Sequence, residues 1–519
     1  MMISPRFSLS VGALSFLALA PQVTMVQAQT CYPDVTAMQT AIDSDFATNN
    51  TLGVYNYVFC GGVVDFSSAA GPLEPKLAGT TIGCEAFATC VLTGAPSGGA
   101  TAQVSIPSNS PIAGEVVLRD LRIESNSGIN YAVEIGGGEN LQVNIVSCVF
   151  LGETAGYVRS FAAGAVLFLN SVTDTMILQN TNVGTLFHHS GSKLFEVRNL
   201  KSNGPFSANN VVVQDGNGLV NLIDIQIEGG TFEDSMFKLE EGIMTLSDVH
   251  VNGASIGDDI FHSEDTSVDV GMTGTMVSVT NCKTSGAAGD SWDVFTVVNG
   301  GAMSMDEATV KDNSDIFRVA NVNKGLFSLR DSGVMDNALT PGSVATDVET
   351  SSAILAATNS TTASFQGVEV DNNGARQAIV LAAYSSTVTL KFSNCVTNSG
   401  AEYVLFKTPD SSISFEDAAD KFYTEAVTSG CLQIFTPSSD STVDACIVGS
   451  DTCTGSCNVN DEYTAMFCTA NGQMAPTASP NVFVAPTEAP TMETSSGMTI
   501  GNPGGVMVLL SAVLTLFWC

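Results

Sequence analysis

The 519-residue sequence predicts an all-β fold: a right-handed parallel β-helix with an N-terminal capping helix and a Cys-rich C-terminal cap. Three observations predict it. A short phrase recurs as "EDSMFKL" (233–239), "GDDIFHS" (257–263), "SWDVFTV" (291–297) and "NSDIFRV" (314–320). Each is a polar turn, an apolar residue, Phe, and then a polar or basic residue. The phenylalanines Phe237, Phe261, Phe295 and Phe317 mark successive copies, and "AILAA" (353–357), "AIVLAA" (378–383) and "YVLFKT" (403–408) continue the series. A period of about 24 residues lies in the range of repeat architectures. Between these marks, "TMVSVTNCKTSG" (275–286), "ASFQGVEVDNNG" (363–374) and "VTLKFSNCVTNSG" (388–400) alternate by two and end in Asn, Asp, Ser or Gly. Helical repeats would place apolar residues at i, i+3, i+4 and i+7 instead. Stacked at the strand spacing, residues 110–430 would form about thirteen coils, with insertions at 262–274 and 338–350 in turns. A propeller would need longer antiparallel strands and a clearer signature.

The elements follow in order. Residues 1–28 read as a secretory signal peptide: Arg6 is the basic start, "VGALSFLALA" (11–20) the apolar core, and Val26-Gln27-Ala28 the cleavage site. Residues 29–80 form the N-terminal cap, where Val35, Met38, Ile42 and Phe46 share one helical face. Cys31 and Cys60 flank this segment, and Cys84 and Cys90 enclose a short loop, so each pair is a disulfide candidate. The parallel β-helix occupies 81–430. Within it, Cys148, Cys282 and Cys395 are assigned to the inward slot held by Val249, Ala308 and Val368 in other copies. There they would act as small apolar core residues and not as metal ligands.

Residues 431–472 form the Cys-rich cap, with Cys431, Cys446, Cys453, Cys457 and Cys468 as further disulfide candidates. The C-x3-C spacing of Cys453 and Cys457 has no histidine nearby, which favours disulfides over zinc in a secreted chain. Residues 473–505 are a Pro/Thr/Ser-rich stalk. Residues 506–519 are apolar to the end, too short to span a bilayer as a helix. With the small triplet Ser495, Ser496 and Gly497 upstream, they match a glycosylphosphatidylinositol (GPI) anchor signal, with Ser495 as the lipid attachment residue. Asn49 and Asn359 open N-glycosylation sequons. The address is the extracellular face of the plasma membrane or the cell wall.

Acids outnumber bases 52 to 18, for a net charge of −34. Nucleic acid is excluded as a partner, because its phosphates would be repelled. Polysaccharide or cell-wall material, and a membrane through the lipid anchor, are the expected partners.

The capping helix "VTAMQTAI" and the phrases "GDDIFHS" and "SNCVTNSG" resemble the pectin lyase-like superfamily of right-handed parallel β-helix proteins. That resemblance implies a polysaccharide-directed surface, catalytic or not. Polygalacturonase-like members carry N-x-D, then Asp-Asp, then Gly-His-Gly, then Arg-x-Lys. Gly257-Asp258-Asp259 is similar to the second motif, but none of the four histidines (His188, His189, His250, His262) precedes a Gly, and no Arg-x-Lys follows residue 259. The candidate catalytic residues are Asp258, Asp259, His262, Asp315, Arg318 and Lys238. Asp259, Asp293 and Asp315 are assigned to one coil corner, a place that suits Asp because its side chain can bond nearby amides. The residues after each Phe, namely His188, Lys238, His262, Arg318 and Lys407, should face outward as one stripe. Calcium is the one candidate cofactor, at Asp258, Asp259 and Asp315; the competing reading is solvated acids balanced by nearby bases. Two functions follow: a non-catalytic glycan-binding or adhesive surface protein, or a polysaccharide lyase or glycoside hydrolase acting on acidic polysaccharide.

Overall fold

The computed structural model describes residues 31–415, except 49–53, 87, 126–128, 162–164, 170–181, 204–205, 265–270, 287–290, 341–351, 372, 375–377, 397–402 and 408–410, together with short strand pieces from 434 to 457. All of these lie in the first of two compact units, residues 1–476. The segments read as signal peptide, stalk and hydrophobic tail, together with Ser495, Asn49, Cys431, Cys446, Cys453 and Cys468, lie outside the described residues, as do most of the two insertions.

The one α-helix among the described residues, Val35–Ala47, starts at Asp34, whose carboxylate accepts a 2.8 Å hydrogen bond from the Ala37 amide. That satisfies one of the orphan donors of the first turn. Val35, Met38 and Ile42 are buried as expected, but Phe46 is 42% exposed, so the apolar face ends a turn early. The coil also begins sooner than expected. Tyr55–Phe59 already pairs in parallel with Thr80–Cys84, which places the first rung inside the segment assigned to the cap. Disulfides Cys31–Cys60 and Cys84–Cys90 tie this end together.

Beyond it the chain is a β-solenoid of parallel strands. One 16-stranded sheet runs from Tyr55–Phe59 to Ser412–Phe415. A second sheet stacks Tyr131–Ile135, Val149–Ser160, Asn182–His189, Ser207–Gln214, Phe237–Leu239, Asp259–Glu264, Trp292–Val298 and Ser314–Asn323, each in parallel with the next. There are about 11 turns, fewer than expected, because several turns are longer than the period of the clearest copies. Val220 pairs with Met244, a single short period on, but the turn that brings Ala363 beside Phe327 is half as long again.

Two ladders hold the turns in register. Phe237, Phe261 and Phe295 stack face to face at 5.2 and 5.5 Å, and the stack passes across the core to Phe327 at 5.8 Å. At one corner, buried Asn313, Asn337 and Asn373 form a chain of amides, each donating to the next at 2.9 Å and to a strand carbonyl. At another corner, Asp224, Asp248, Met276, Glu307 and Asp331 all adopt positive φ, where the strand of the first sheet bends. Asp accepts this left-handed conformation more readily than most residues.

The register corrects four expectations. Asp293 pairs with Arg318, not with Asp315, because a bulge follows Trp292, which pairs with Ile316. Phe317 is the extra residue and leaves the Phe stack; Ala320 pairs with Phe295 instead. Lys407 pairs with Ala382, one place past the outward row, where Phe406 sits. The three cysteines do not share a slot. Cys148 follows the positive-φ corner, as Val249 and Ala308 do, whereas Cys282 lies at the Asn-ladder corner, its amide bonded to Asn313 Oδ1. Cys395 pairs with Val370. Cys148 and Cys282 are buried free thiols, and burial pushes both up to about 12.

Candidate functional site

In the second sheet two consecutive residues point into the core on each rung. Leu186 and Phe187, Met236 and Phe237, Ile260 and Phe261, and Val294 and Phe295 are all fully buried. Strict alternation allows only one, so the alternation breaks at the same place in each of these strands, with the register between them kept. The consequence is local: residues three apart now leave the sheet on the same outer side. Asp259 and His262 meet this way, with Oδ2 2.8 Å from Nδ1. Two rungs further on, Arg318 and Asn321 meet in the same way at 2.8 Å, and Asn321 also donates back to Asp293 at 2.7 Å.

The outer row can be read from the pairings: Glu134, Arg159, His188, Val213, Lys238, His262, Thr296 and Asn321 are successive neighbours. The expected His188, Lys238 and His262 therefore do share one row. Arg318 leaves it for the row of Asp259 and Asp293, where it is 5% exposed with its guanidinium 4.7 Å above the Phe317 ring.

Three basic side chains of the row contact acids. His262 lies between Asp259 and Glu264, 3.2 Å from the latter; Lys238 holds Glu240 at 2.8 Å; His188 holds Asp215 at 2.9 Å. Burial works against a charged His262, yet its bonds to Asp259 and Glu264 prevail and raise it above the usual histidine range. Asp258 lies on the exposed turn before this strand. Partial desolvation, then the charges of Asp259 and Asp234, push it up to about 6. Burial and then the Asp259 charge raise Asp293, against the pull of Arg318.

These directions give a stability prediction. A raised carboxyl and a raised histidine both contribute stability that is present in acid and lost as pH climbs through the folded-state value. The melting temperature should therefore fall between about pH 5 and pH 8. Asp293→Asn should flatten part of that slope; an unchanged slope in thermal melts would show that Asp293 titrates as it does in the unfolded chain.

The geometry does not assemble the calcium trio. Asp259 and Asp315 are separated by the Asp293 rung, so about two strand spacings, ~9–10 Å, divide them. Asp315 sits exposed at a positive-φ turn, bonded to the Ser314 hydroxyl. Among the described residues, no three His, Cys, Asp or Glu side chains could hold a metal ion together. Asn359, in its sequon, occupies a positive-φ turn and donates to Asn323.

Sequence reasoning missed Tyr131, Glu134, Arg159, Asp215, Thr296 and Asn321. The signal was there: "YVRSF" (157–161), "LFHHS" (186–190), "MFKLE" (236–240), "IFHSE" (260–264) and "VANVN" (319–323) are one phrase, two apolar residues followed by polar residues at the third place.

No protein-family model matches the chain, and no curated protein sequence does. Two solved structures are similar to it. Bacteriophage CBA120 tailspike protein 3 is 11% identical over 79% of this chain with a TM-score of 0.27, and the match spans 60% of the tailspike chain. The catalytic domain of a GH87 α-1,3-glucanase in complex with nigerose is 11% identical over 72% of this chain and 69% of its own, with a TM-score of 0.24.

Proposed function

We propose that this protein is a non-catalytic, cell-surface β-helix that binds glycans along the outer row of its second sheet. One observation carries the reading: the outer row from Glu134 to Asn321 advances at single-rung spacing, and every member but Val213 carries a side-chain donor or acceptor. An extended polar polymer can lie along such a row and make a polar contact at most steps. The same geometry argues against catalysis. A glycosidase needs two carboxyls free to move protons or attack carbon. Here Asp259 is tied to His262, and Asp293 accepts from the Arg318 amide at 2.9 Å and from Asn321.

Right-handed winding of the pectin lyase-like kind is part of this proposal, since parallel crossovers strongly prefer that hand. So is the address. The leader, the sequons, the stalk and the GPI-type tail in the sequence support secretion and lipid anchoring, and two disulfides suit an oxidising compartment. Release of the protein from cells by a phosphatidylinositol-specific phospholipase tests the anchor.

The binding reading is tested on a panel of neutral and acidic glycans, with polymer length followed in the same tubes. Binding without shortening is expected, weakened about tenfold by Lys238→Ala or His262→Ala. Silence across the panel would end this reading. A second reading has one observation in its favour: Asp258 is exposed and raised to about 6, so it can reach a ligand and donate a proton near neutral pH. Polymer shortening that Asp258→Asn abolishes would establish a hydrolase or lyase instead.

A further inference from the structure

The geometry points to an oxyanion subsite at Arg159, which takes a carboxylate or sulfate ester carried by a glycan. It rests on the glycan-binding reading and lies at the N-terminal end of the same row, three rungs before Lys238 and its acids.

The residues converge because the alternation breaks here too, with Ala132 and Val133 both buried. Tyr131 lies three places before Glu134, so both leave the same side of their rung, and Arg159 pairs with Glu134 one rung on. The Arg159 guanidinium carbon sits 5.6 Å from the Tyr131 ring centre and 5.7 Å from that of Phe161. Two aromatic rings within 6 Å of a guanidinium restrict its movement, and each adds cation–π attraction. The lack of side chains at Gly136 and Gly156 makes this possible: a Cβ at Gly136 would clash with the Phe161 ring, and one at Gly156 with the Tyr131 ring.

The donors of this guanidinium are not used up. Its ion partner Glu134 is 3.8 Å from Nη1, beyond hydrogen-bond range. Glu134 itself accepts from the Thr101 hydroxyl at 2.8 Å. Nε of Arg159 is buried with no acceptor among the described residues. An unmatched buried donor is costly, and an oxyanion over the fork would satisfy it. The side chain is still 40% exposed, so a ligand can reach it.

Neighbouring groups complete the site. His188, on the next rung, bonds the Tyr131 hydroxyl at 3.3 Å through Nδ1 and Asp215 at 2.9 Å through Nε2, which fixes the phenol beside the guanidinium. Phe161 is 38% exposed, an apolar platform for a sugar face at the edge of the charged group. The chain's overall negative charge does not forbid this: at physiological salt, exposed charges more than ~8 Å away are largely screened, and the local fork decides. Guanidinium suits carboxylate and sulfate alike through paired N–H donors.

The test uses the full protein and matched probes: a galacturonate oligomer with its neutral methyl ester, and a neutral oligomer with its sulfated form. Calorimetry should find the charged member of at least one pair bound on the order of tenfold more tightly than its neutral twin, with the gap narrowing as salt rises. Which pair shows the gap tells carboxylate from sulfate. Arg159→Ala should erase the gap; Arg159→Gln, which keeps the length without the charge, should do the same if the alanine variant fails to fold. Phe161→Ala should weaken charged and neutral probes together. Equal binding of charged and neutral twins, or a gap that survives both Arg159 variants, overturns the subsite while the wider glycan-binding reading stands. No binding of any probe overturns both.

Discussion

Phe261→Ala should cost about 3–5 kcal/mol of folding stability. The Phe261 ring is fully buried and lies between two others at 5.2 and 5.5 Å. Truncation removes apolar contact on both sides and leaves a void in mid-stack. The void cannot close, because the strand is bonded in parallel to Phe237–Leu239 on one side and to Trp292–Val298 on the other. The control is Phe317→Ala. Its ring is partly exposed and mainly supports the Arg318 guanidinium, so a loss of about 1 kcal/mol is expected. Denaturant titration of both variants checks the pair. Equal losses would mean that Phe317 belongs to the stack after all.

Asn337→Ala should cost about 3 kcal/mol, well above the median for a side-chain truncation. Asn337 is the middle of the amide chain. Its Nδ2 donates to the Val310 carbonyl and to Asn373 Oδ1, while its Oδ1 accepts from the amide and the side chain of Asn313. Alanine leaves the Asn313 amide and the Val310 carbonyl without these partners in a place water does not reach, and each orphan costs about 1–3 kcal/mol. Asn337→Asp should be worse above about pH 5, since a carboxylate would face the Val310 carbonyl and Asn373 Oδ1 with no proton to offer. Thermal melts at two pH values separate the two substitutions. An aspartate variant as stable as wild type at neutral pH would show that the ladder tolerates a negative charge.

The solenoid was legible because its signal is repetition. "DSMFKL" and "DDIFHS" align without a gap, and the structure places Phe237 on Phe261 and Lys238 on His262 as the text pattern requires. Asp259 over Asp293 followed from the same phrase. The error came at the fourth copy. "SDIFRV" reads like its predecessors, but its phenylalanine, Phe317, arrives too early in the turn; the true partner of Phe295 is Ala320, three residues further along the strand. A coil cut short in that way would have to lose a rung position or a corner, so the spacing itself argued against the match. Letters alone could not weigh a bulge that moves Phe317 out and Arg318 into the place of an aspartate. The outer site was half legible for a related reason. Alternation by two assigns only one outward residue per Phe. The doubled inward step at Ile260 and Phe261 is what turns Asp259 to the same side as His262, and it shows in the sequence only when the paired apolar residues of several copies are aligned. The Asn ladder was visible only as turn residues; that Asn313, Asn337 and Asn373 point inward and link end to end is a property of stacking.

Every strand of the two main sheets is held by the rungs immediately before and after it, and Asn337 and Phe261 act only across those same contacts. A molecule so built has mechanical as well as thermal consequences. Tension on its C-terminal end would unwind it one loop at a time, each release letting out about 80 Å of slack from an extended turn of chain, while the cross-linked beginning at Cys31–Cys60 would yield last. Such a tether lengthens under load in steps before it breaks.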